Sequence, residues 1–195
     1  MDMKKGMKGQ FFIVGAILVC SMLFVAYPRF APLIREPGGD IPYISANIQR
    51  ELPRVMNLGV NESAMIASMS NFTAFLERSL SEKRINYTSL VVMFRNVTTG
   101  SDGLNITVIN ELGSNVTLTI TISGEDYGTI VASYPDLEDG SVNTSSYIPV
   151  SNINNVTVAF GSQERTMEWP RDKASIYAFF RLTRDEDIIK NDVAG

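Results

Sequence analysis

The stretch LNITVINELGSNVTLTITI, residues 104–122, decides the fold of the larger part of this 195-residue chain. On both sides of residues 110–114, apolar residues alternate with Asn and Thr. A period of two is typical of a strand that buries one face and exposes the other. Residues 110–114 have the length and composition of a hairpin turn. We therefore expect two antiparallel strands here, each with a polar face toward solvent.

Further strands are predicted around this stretch. They lie at residues 89–94, 127–132, 156–160 and 174–182. Short strands at this spacing favour an antiparallel β-sandwich-like domain over residues 86–184. Residues 134–146 are rich in turn-forming residues and are predicted to be a loop. Residues 185–195 are predicted to be a polar, frayed tail.

Two segments before the strands have helical periodicity. The first, residues 43–58, places apolar residues mostly three or four apart, at Ile44, Ile48, Leu52, Val55 and Met56. Pro53 lies inside this stripe and is expected to kink or end the helix. A second amphipathic helix is predicted over residues 63–84. Its apolar, methionine-containing face favours a core contact, with a membrane or partner contact as the alternative.

Four prolines precede these helices, at Pro28, Pro32, Pro37 and Pro42. Prolines this close together do not fit inside a regular helix. They favour a stalk or linker, or an ordinary loop. Residues 29–85 are therefore predicted to be a proline-rich stalk followed by short amphipathic helices, which makes the predicted fold class α+β.

Composition excludes several kinds of chemistry. The chain has no histidine, which removes His-containing triads and His-ligated metal sites. Its single cysteine, Cys20, excludes an intrachain disulfide and a thiolate zinc site. With a net charge of −4, the chain lacks the excess of basic residues that is typical of a nucleic-acid-binding protein. We expect no cofactor, no metal and no nucleic-acid partner.

The N-terminal segment predicts a membrane anchor. Residues 11–27 are uncharged, and a helix over residues 10–28 is long enough to cross the roughly 30 Å hydrocarbon core. Residues 1–9 are a basic leader with three lysines, so the positive-inside rule places them in the cytoplasm and residues 29–195 outside. A signal peptidase needs small residues just before its cut, and Phe24 is too large for such a position. Cys20 is better explained as an apolar residue of the span than as a lipidated anchor.

Residues 8–18, KGQFFIVGAIL, resemble the start of archaeal type IV pilin-like proteins with class III signal peptides. The resemblance covers residues 1–27. It implies that a prepilin-type peptidase cuts between Gly9 and Gln10, and that the apolar helix stays on the protein as an anchor or as part of a filament core with other pilin-like subunits. Many pilins carry an acidic residue where this chain has Val14, which weakens the case for assembly more than the case for processing.

Asparagines in Asn-x-Ser/Thr sequons are strongly over-represented. There are eight, whereas about two would arise if the chain's asparagines, serines and threonines were placed at random. The acceptor residues are Asn61, Asn71, Asn86, Asn96, Asn105, Asn115, Asn143 and Asn155. At Asn105, Asn115 and Asn155 the middle residue is apolar, so the asparagine and the threonine are expected to share the solvent face of a strand. The alternative is that these residues are ordinary outward-facing sheet residues.

The sequence offers only weak candidates for catalytic residues. Acids occur at 125–126, 136–139 and 185–187, but no phosphate loop or nucleophile elbow accompanies them. Asp136-x-Glu138-Asp139-Gly140 departs from the spacing of a calcium loop. Trp169 and the aromatics at 177–180 are predicted to pack in a core or interface rather than to form a sugar platform.

The sequence therefore predicts a non-enzymatic, N-glycosylated, single-pass protein of the cell membrane, with a structural or adhesive outer domain and a pilin-like N-terminus. One alternative is a single-span binding module or accessory subunit that never forms filaments. The other is a surface hydrolase that uses Asp136 and Glu138.

Overall fold

The structure, a computed structural model, describes residues 40–59, 61–97, 103–124, 128–147, 153–168 and 174–194. The predicted leader, the predicted span at 10–28, and Gly9 and Gln10 lie outside these ranges. In the described part of the chain, no helix is long and apolar enough to cross a membrane. Ile41–Gly195 forms a compact unit of its own.

Two helices precede the strands in this unit, α1 (Asp40–Asn57) and α2 (Glu62–Ser81). Each buries one stripe: in α1 this is Ile41, Ser45, Ile48, Leu52 and Met56, and in α2 it is Met65, Met69, Thr73, Leu76 and Leu80. The predicted amphipathic helices, and the core role of their apolar faces, are confirmed. Helix α1 does not end at Pro53, because Leu52 and Met56 on either side of the proline are both held in the core.

Nine strands follow among the described residues. They are β1 (Asn86–Val97), β2 (Gly103–Glu111), β3 (Val116–Gly124), β4 (Gly128–Leu137), β5 (Ser141–Tyr147), β6 (Ile153–Phe160), β7 (Gln163–Glu168), β8 (Ser175–Arg184) and β9 (Asp187–Ala194). All pairs are antiparallel. The five-stranded sheet has the order β5-β2-β1-β8-β9, and the four-stranded sheet has the order β4-β3-β6-β7.

The central strands of the five-stranded sheet, β2, β1 and β8, are buried on both faces. In β1, Leu90, Val92 and Phe94 join the core between the two sheets, whereas Val91 and Met93 join a second core beneath the helices. The helices therefore cover the outer face of this sheet, and the unit has three layers. The predicted α+β class with a sandwich-like pair of antiparallel sheets is confirmed at this level.

The predicted hairpin over residues 104–122 was wrong. Strand β2 pairs with β1 and β5, whereas β3 pairs with β4 and β6, so the connection between β2 and β3 crosses from one sheet to the other. The apolar residues of both strands meet in the same core from opposite sheets. The alternation of apolar and polar residues determines which face of each strand is buried. A hairpin within one sheet satisfies that requirement, and so does an arch, which is a connection that crosses from one sheet to the other.

The loop predicted over 134–146 and the tail predicted over 185–195 were also wrong. The first contains the end of β4 and most of β5, and the second contains β9. Strands β5 and β9 are the two edges of the five-stranded sheet. Most of their side chains are at least partly exposed. Because neither strand has to bury a full apolar face, neither shows the alternation that predicts a strand.

Candidate functional site

The acceptor asparagines lie mainly on the surface. Seven of the eight are exposed, and Asn105 is partly buried. An enzyme that reads the sequon must reach both the asparagine amide and the hydroxyl group two residues later. The surroundings of that second residue divide the sites into accessible and obstructed ones.

Asn155 has the geometry predicted for a strand sequon. It is exposed on β6, and Val156 beside it is fully buried between the sheets. The Thr157 hydroxyl shares a 2.8 Å hydrogen bond with Thr166 of β7 on the same outward face. This face of the four-stranded sheet is open to solvent along β6 and β7, so both parts of the sequon are accessible.

Asn61 is both a sequon and the N-cap of α2. Its Oδ1 atom accepts a 2.9 Å hydrogen bond from the backbone amide of Ala64. Sugar attaches to the side-chain nitrogen, which this cap does not use. Since Ser63 is also exposed, the capping role and a glycan are compatible.

Asn115 connects two turns. Its Nδ2 donates to the Asp136 carboxylate at 3.0 Å, and its Oδ1 accepts from the backbone amide of Asp139 at 3.3 Å. Asn115 and Thr117 are both exposed. Glycosylation replaces one of the two amide hydrogens of Nδ2, so the other can keep the bond to Asp136.

The sequon at Asn71 is obstructed on its threonine side. Asn71 is exposed on α2, but Thr73 is 0% exposed, and its hydroxyl lies within hydrogen-bonding distance of the Met69 and Ser70 carbonyls and, at 2.9 Å, of the Glu111 carboxylate. In the folded protein that hydroxyl is unavailable to a sequon-reading enzyme.

The packing of α2 on the sheet also buries part of Glu111. Its carboxylate also accepts from Ser89 at 3.3 Å, where α2 packs on β1 and β2. Burial raises the pKa of Glu111 above its ordinary value, against the opposing effect of the two hydroxyl donors. Glu111 therefore belongs to the helix–sheet packing rather than to a solvent-facing reaction site.

The solvent face predicted for Asn105 and Thr107 was wrong. Ile106 between them is buried in the core between the sheets, as expected, but the opposite face lies against α2 and beside the neighbouring strand β5 rather than in open solvent. Thr107 is 1% exposed and shares a 3.0 Å hydrogen bond with Thr144. Asn105 donates to Glu62 of α2 at 2.8 Å and accepts from Ser146 at 2.8 Å. This sequon is held by contacts with α2 and with the neighbouring strand β5.

Two further sequons lie on β1. Asn86 is exposed at the start of the strand, but Thr88 is buried, so this site is also obstructed. Asn96 is exposed, and Thr98 lies outside the described ranges.

The last sequon, Asn143, lies beside a cleft between the edge strands β4 and β5. The cleft has a volume of about 400 Å³. It is lined by Ser133, Tyr134, Pro135, Asp136, Leu137, Glu138, Ser141 and Asn143. Asn143 is exposed and Ser145 is partly exposed. Most of the lining groups are hydroxyls, carboxylates and an amide, which suit a hydrogen-bonding ligand better than an apolar one.

The acids at 136–139 are engaged in turn structure. Asp136 accepts from Asn115 and adopts a φ of 53° where the pairing of β4 with β3 shifts register. The Asp139 carboxylate accepts from the backbone amide of Gly113 at 2.8 Å. Across the described ranges, no group of three or more potential ligands is placed to hold a metal ion.

The aromatic residues considered as a sugar platform pack in the interior. Tyr177 and Phe179 belong to the core between the sheets, and Phe180 belongs to the core beneath the helices. Phe160 contacts Phe179 edge to face, with ring centroids 5.2 Å apart. Burial raises the pKa of Tyr177 to about 12. Trp169 lies outside the described ranges.

Sequence reasoning missed Asn110, which holds the arch between β2 and β3. Its side chain is 0% exposed, donates to the carbonyls of Ser114 and Leu137, and accepts from the amide of Leu112. Its own carbonyl accepts from Gly140 at 2.7 Å. An asparagine in a predicted turn gives no signal that it is buried, so this role depends on the contact between two turns distant in sequence.

Comparison of the chain with protein-family models, with curated proteins and with solved structures finds no match.

Proposed function

We propose that this chain is a membrane-anchored, N-glycosylated, pilin-like surface protein whose outer domain has a structural or adhesive role and no catalytic one. The N-terminal helix anchors it in the lipid bilayer after a prepilin-type peptidase removes residues 1–9. The leader faces the cytoplasm and the domain that begins at α1 faces outward.

The observation that carries this proposal is the number of sequons together with their exposure. Eight sequons all follow the predicted span, and seven of their asparagines are exposed. Four sequons, at Asn61, Asn115, Asn143 and Asn155, also have a partly or fully exposed hydroxyl residue. A glycan at these positions would extend into solvent without disturbing either core, which suits a displayed domain.

The non-catalytic role is supported by how the candidate acids are used. Asp136 and Asp139 hold two turns together through Asn115 and Gly113. Glu111, the carboxyl with a raised pKa, lies under α2 and bonds to two hydroxyls. Each of these groups has a packing role that accounts for its position without invoking a reaction.

The experiment is intact-mass measurement with N-terminal sequencing on the chain extracted from its native membrane. We expect a start at Gln10 and added mass above that of the polypeptide. The matched variant Gly9→Val should keep its anchor and start at Met1, because only the predicted cleavage site is altered. A wild-type chain that starts at Met1 and carries no added mass would contradict both processing and glycosylation.

The second candidate is a single-span module that never assembles into filaments. Val14, where many pilins carry an acid, and the prolines at 28 and 32 favour it, since a pilin usually continues one long helix outward. Shearing the cells distinguishes the two. Recovery of the chain in filaments supports the pilin-like subunit, and its complete retention in the membrane supports the module.

A further inference from the structure

The two open sides of the sandwich are built differently. Two sheets have four edge strands, and here β7 and β9 lie on one side while β4 and β5 lie on the other. An edge strand exposes unpaired backbone groups that can pair with another chain, and proteins usually guard it with charges, prolines or bulges.

The β7–β9 side is guarded by charge. Strand β7 carries Glu164, Arg165 and Glu168, and β9 carries two aspartates and a lysine. Arg165 of β7 also forms a 3.5 Å ion pair with Asp192 of β9. A strand from another molecule would have to disrupt this pair or place its own residues against these charges.

The β4–β5 side lacks this protection along β5. The sequence of β5, SVNTSSY, contains no charge, proline or glycine, and its pairing with β2 is regular over seven residues. Strand β4 is guarded only toward its end, by Pro135, Asp136 and the register shift near them. Among the described residues, β5 is thus the edge most open to strand addition.

Asn143 lies in the middle part of this edge and borders the cleft between β4 and β5. A pairing strand would lie about 4.8 Å from β5 in the plane of the sheet, and a sugar chain on Asn143, at the cleft beside that edge, would obstruct its approach. The cleft offers Ser133, Asp136, Glu138 and Ser141 to the sugar hydroxyls nearest the protein. Carboxylates accept hydrogen bonds from such hydroxyls, so the lining suits a carbohydrate.

We infer that Asn143 carries a glycan that covers the β4–β5 side of the sandwich and prevents self-association through the β5 edge. This inference rests on the proposed glycosylation. It specifies which glycan is protective and which contact that glycan prevents. A second copy of this chain, pairing β5 with β5, is the partner that the glycan excludes.

The test uses the full chain expressed in its native host and extracted in detergent. Asn143→Gln and Ser145→Ala each destroy this sequon, the second while keeping Asn143. Asn155→Gln and Thr157→Ala are the matched controls, since they remove an exposed sequon from the outer face of the four-stranded sheet. Peptide mass spectrometry reports sugar on each asparagine, and light scattering reports the mass of the protein particle.

We expect sugar on Asn143 in the wild type, and at least a twofold increase in particle mass for both Asn143→Gln and Ser145→Ala but for neither control. An unmodified Asn143 in a chain whose other sequons carry sugar would overturn this inference and leave the proposed function unaffected. So would a modified Asn143 whose removal leaves the particle mass equal to that of the controls. Sugar on none of the eight sequons would contradict the proposed glycosylation itself.

Discussion

Replacing Asn110 with alanine should lower the free energy of unfolding by about 3 kcal/mol. The side chain makes three hydrogen bonds: two donated, to the Ser114 carbonyl at 3.0 Å and the Leu137 carbonyl at 2.9 Å, and one accepted from the Leu112 amide at 3.1 Å. Each contributes a net value of about 1 kcal/mol, and a buried partner left without its bond costs more than an exposed one. The substitution should therefore loosen the arch between the sheets.

The assay is thermal and urea unfolding of the chain produced without glycosylation, followed by circular dichroism. For a domain of this size, about 3 kcal/mol corresponds to a fall in Tm of roughly 6–12 °C. The control is Asn115→Ala, which removes an asparagine that bridges the same two turns but is exposed, so its loss should cost less than about 1 kcal/mol. If Asn110→Ala costs no more than Asn115→Ala, the arch does not depend on the buried amide and the reasoning is wrong.

Three further predictions concern the layers. Leu52→Ala, which empties a fully buried site beneath α1, should destabilise the unit by about 2–5 kcal/mol in urea unfolding, whereas Phe75→Ala at an exposed site of α2 should stay within about 0.5 kcal/mol. Burial raises the native pKa of Glu111 above its ordinary 4.5. The contribution of protonated Glu111 to the free energy of unfolding is therefore fully present below the unfolded-state pKa and is lost as pH rises through the native pKa. The stability of the wild type relative to Glu111→Gln should then fall as pH is raised from the unfolded-state pKa through the native one, and a pH-independent difference in urea unfolding would contradict this. Arg165→Ala should cost less than about 1 kcal/mol, because its ion pair with Asp192 is exposed, and that small loss should disappear in high salt.

The central strands and both helices were predictable because their burial leaves a periodic trace. Strand β6 alternates between Val156, Val158 and their polar neighbours, and α1 and α2 carry apolar stripes. The edge strands β5 and β9 leave no such trace because most of their side chains remain partly or fully exposed. Their pairing is decided by a neighbouring strand, which local periodicity does not report.

The environment of each sequon was predictable only where a strand has one solvent face. Asn155 meets that condition, since its strand lies in the four-stranded sheet. Asn105 does not, because α2 covers the second face of β2. One signal was present in the sequence: the run from Leu90 to Phe94 in β1 is apolar at every position, as in a strand buried on both sides. A sheet with such a strand needs a layer on its second face, and the amphipathic helices supply it.

Site-resolved mass spectrometry of the sequon peptides, on the chain extracted from its native membrane, tests the central claim most directly. We predict sugar on the sequons whose hydroxyl residue is accessible and none on those whose threonine is buried by the fold. The accessible sites are Asn61, Asn115, Asn143 and Asn155, and the obstructed ones are Asn71, Asn86 and Asn105. Unmodified asparagines at all eight sequons would contradict a glycosylated surface domain.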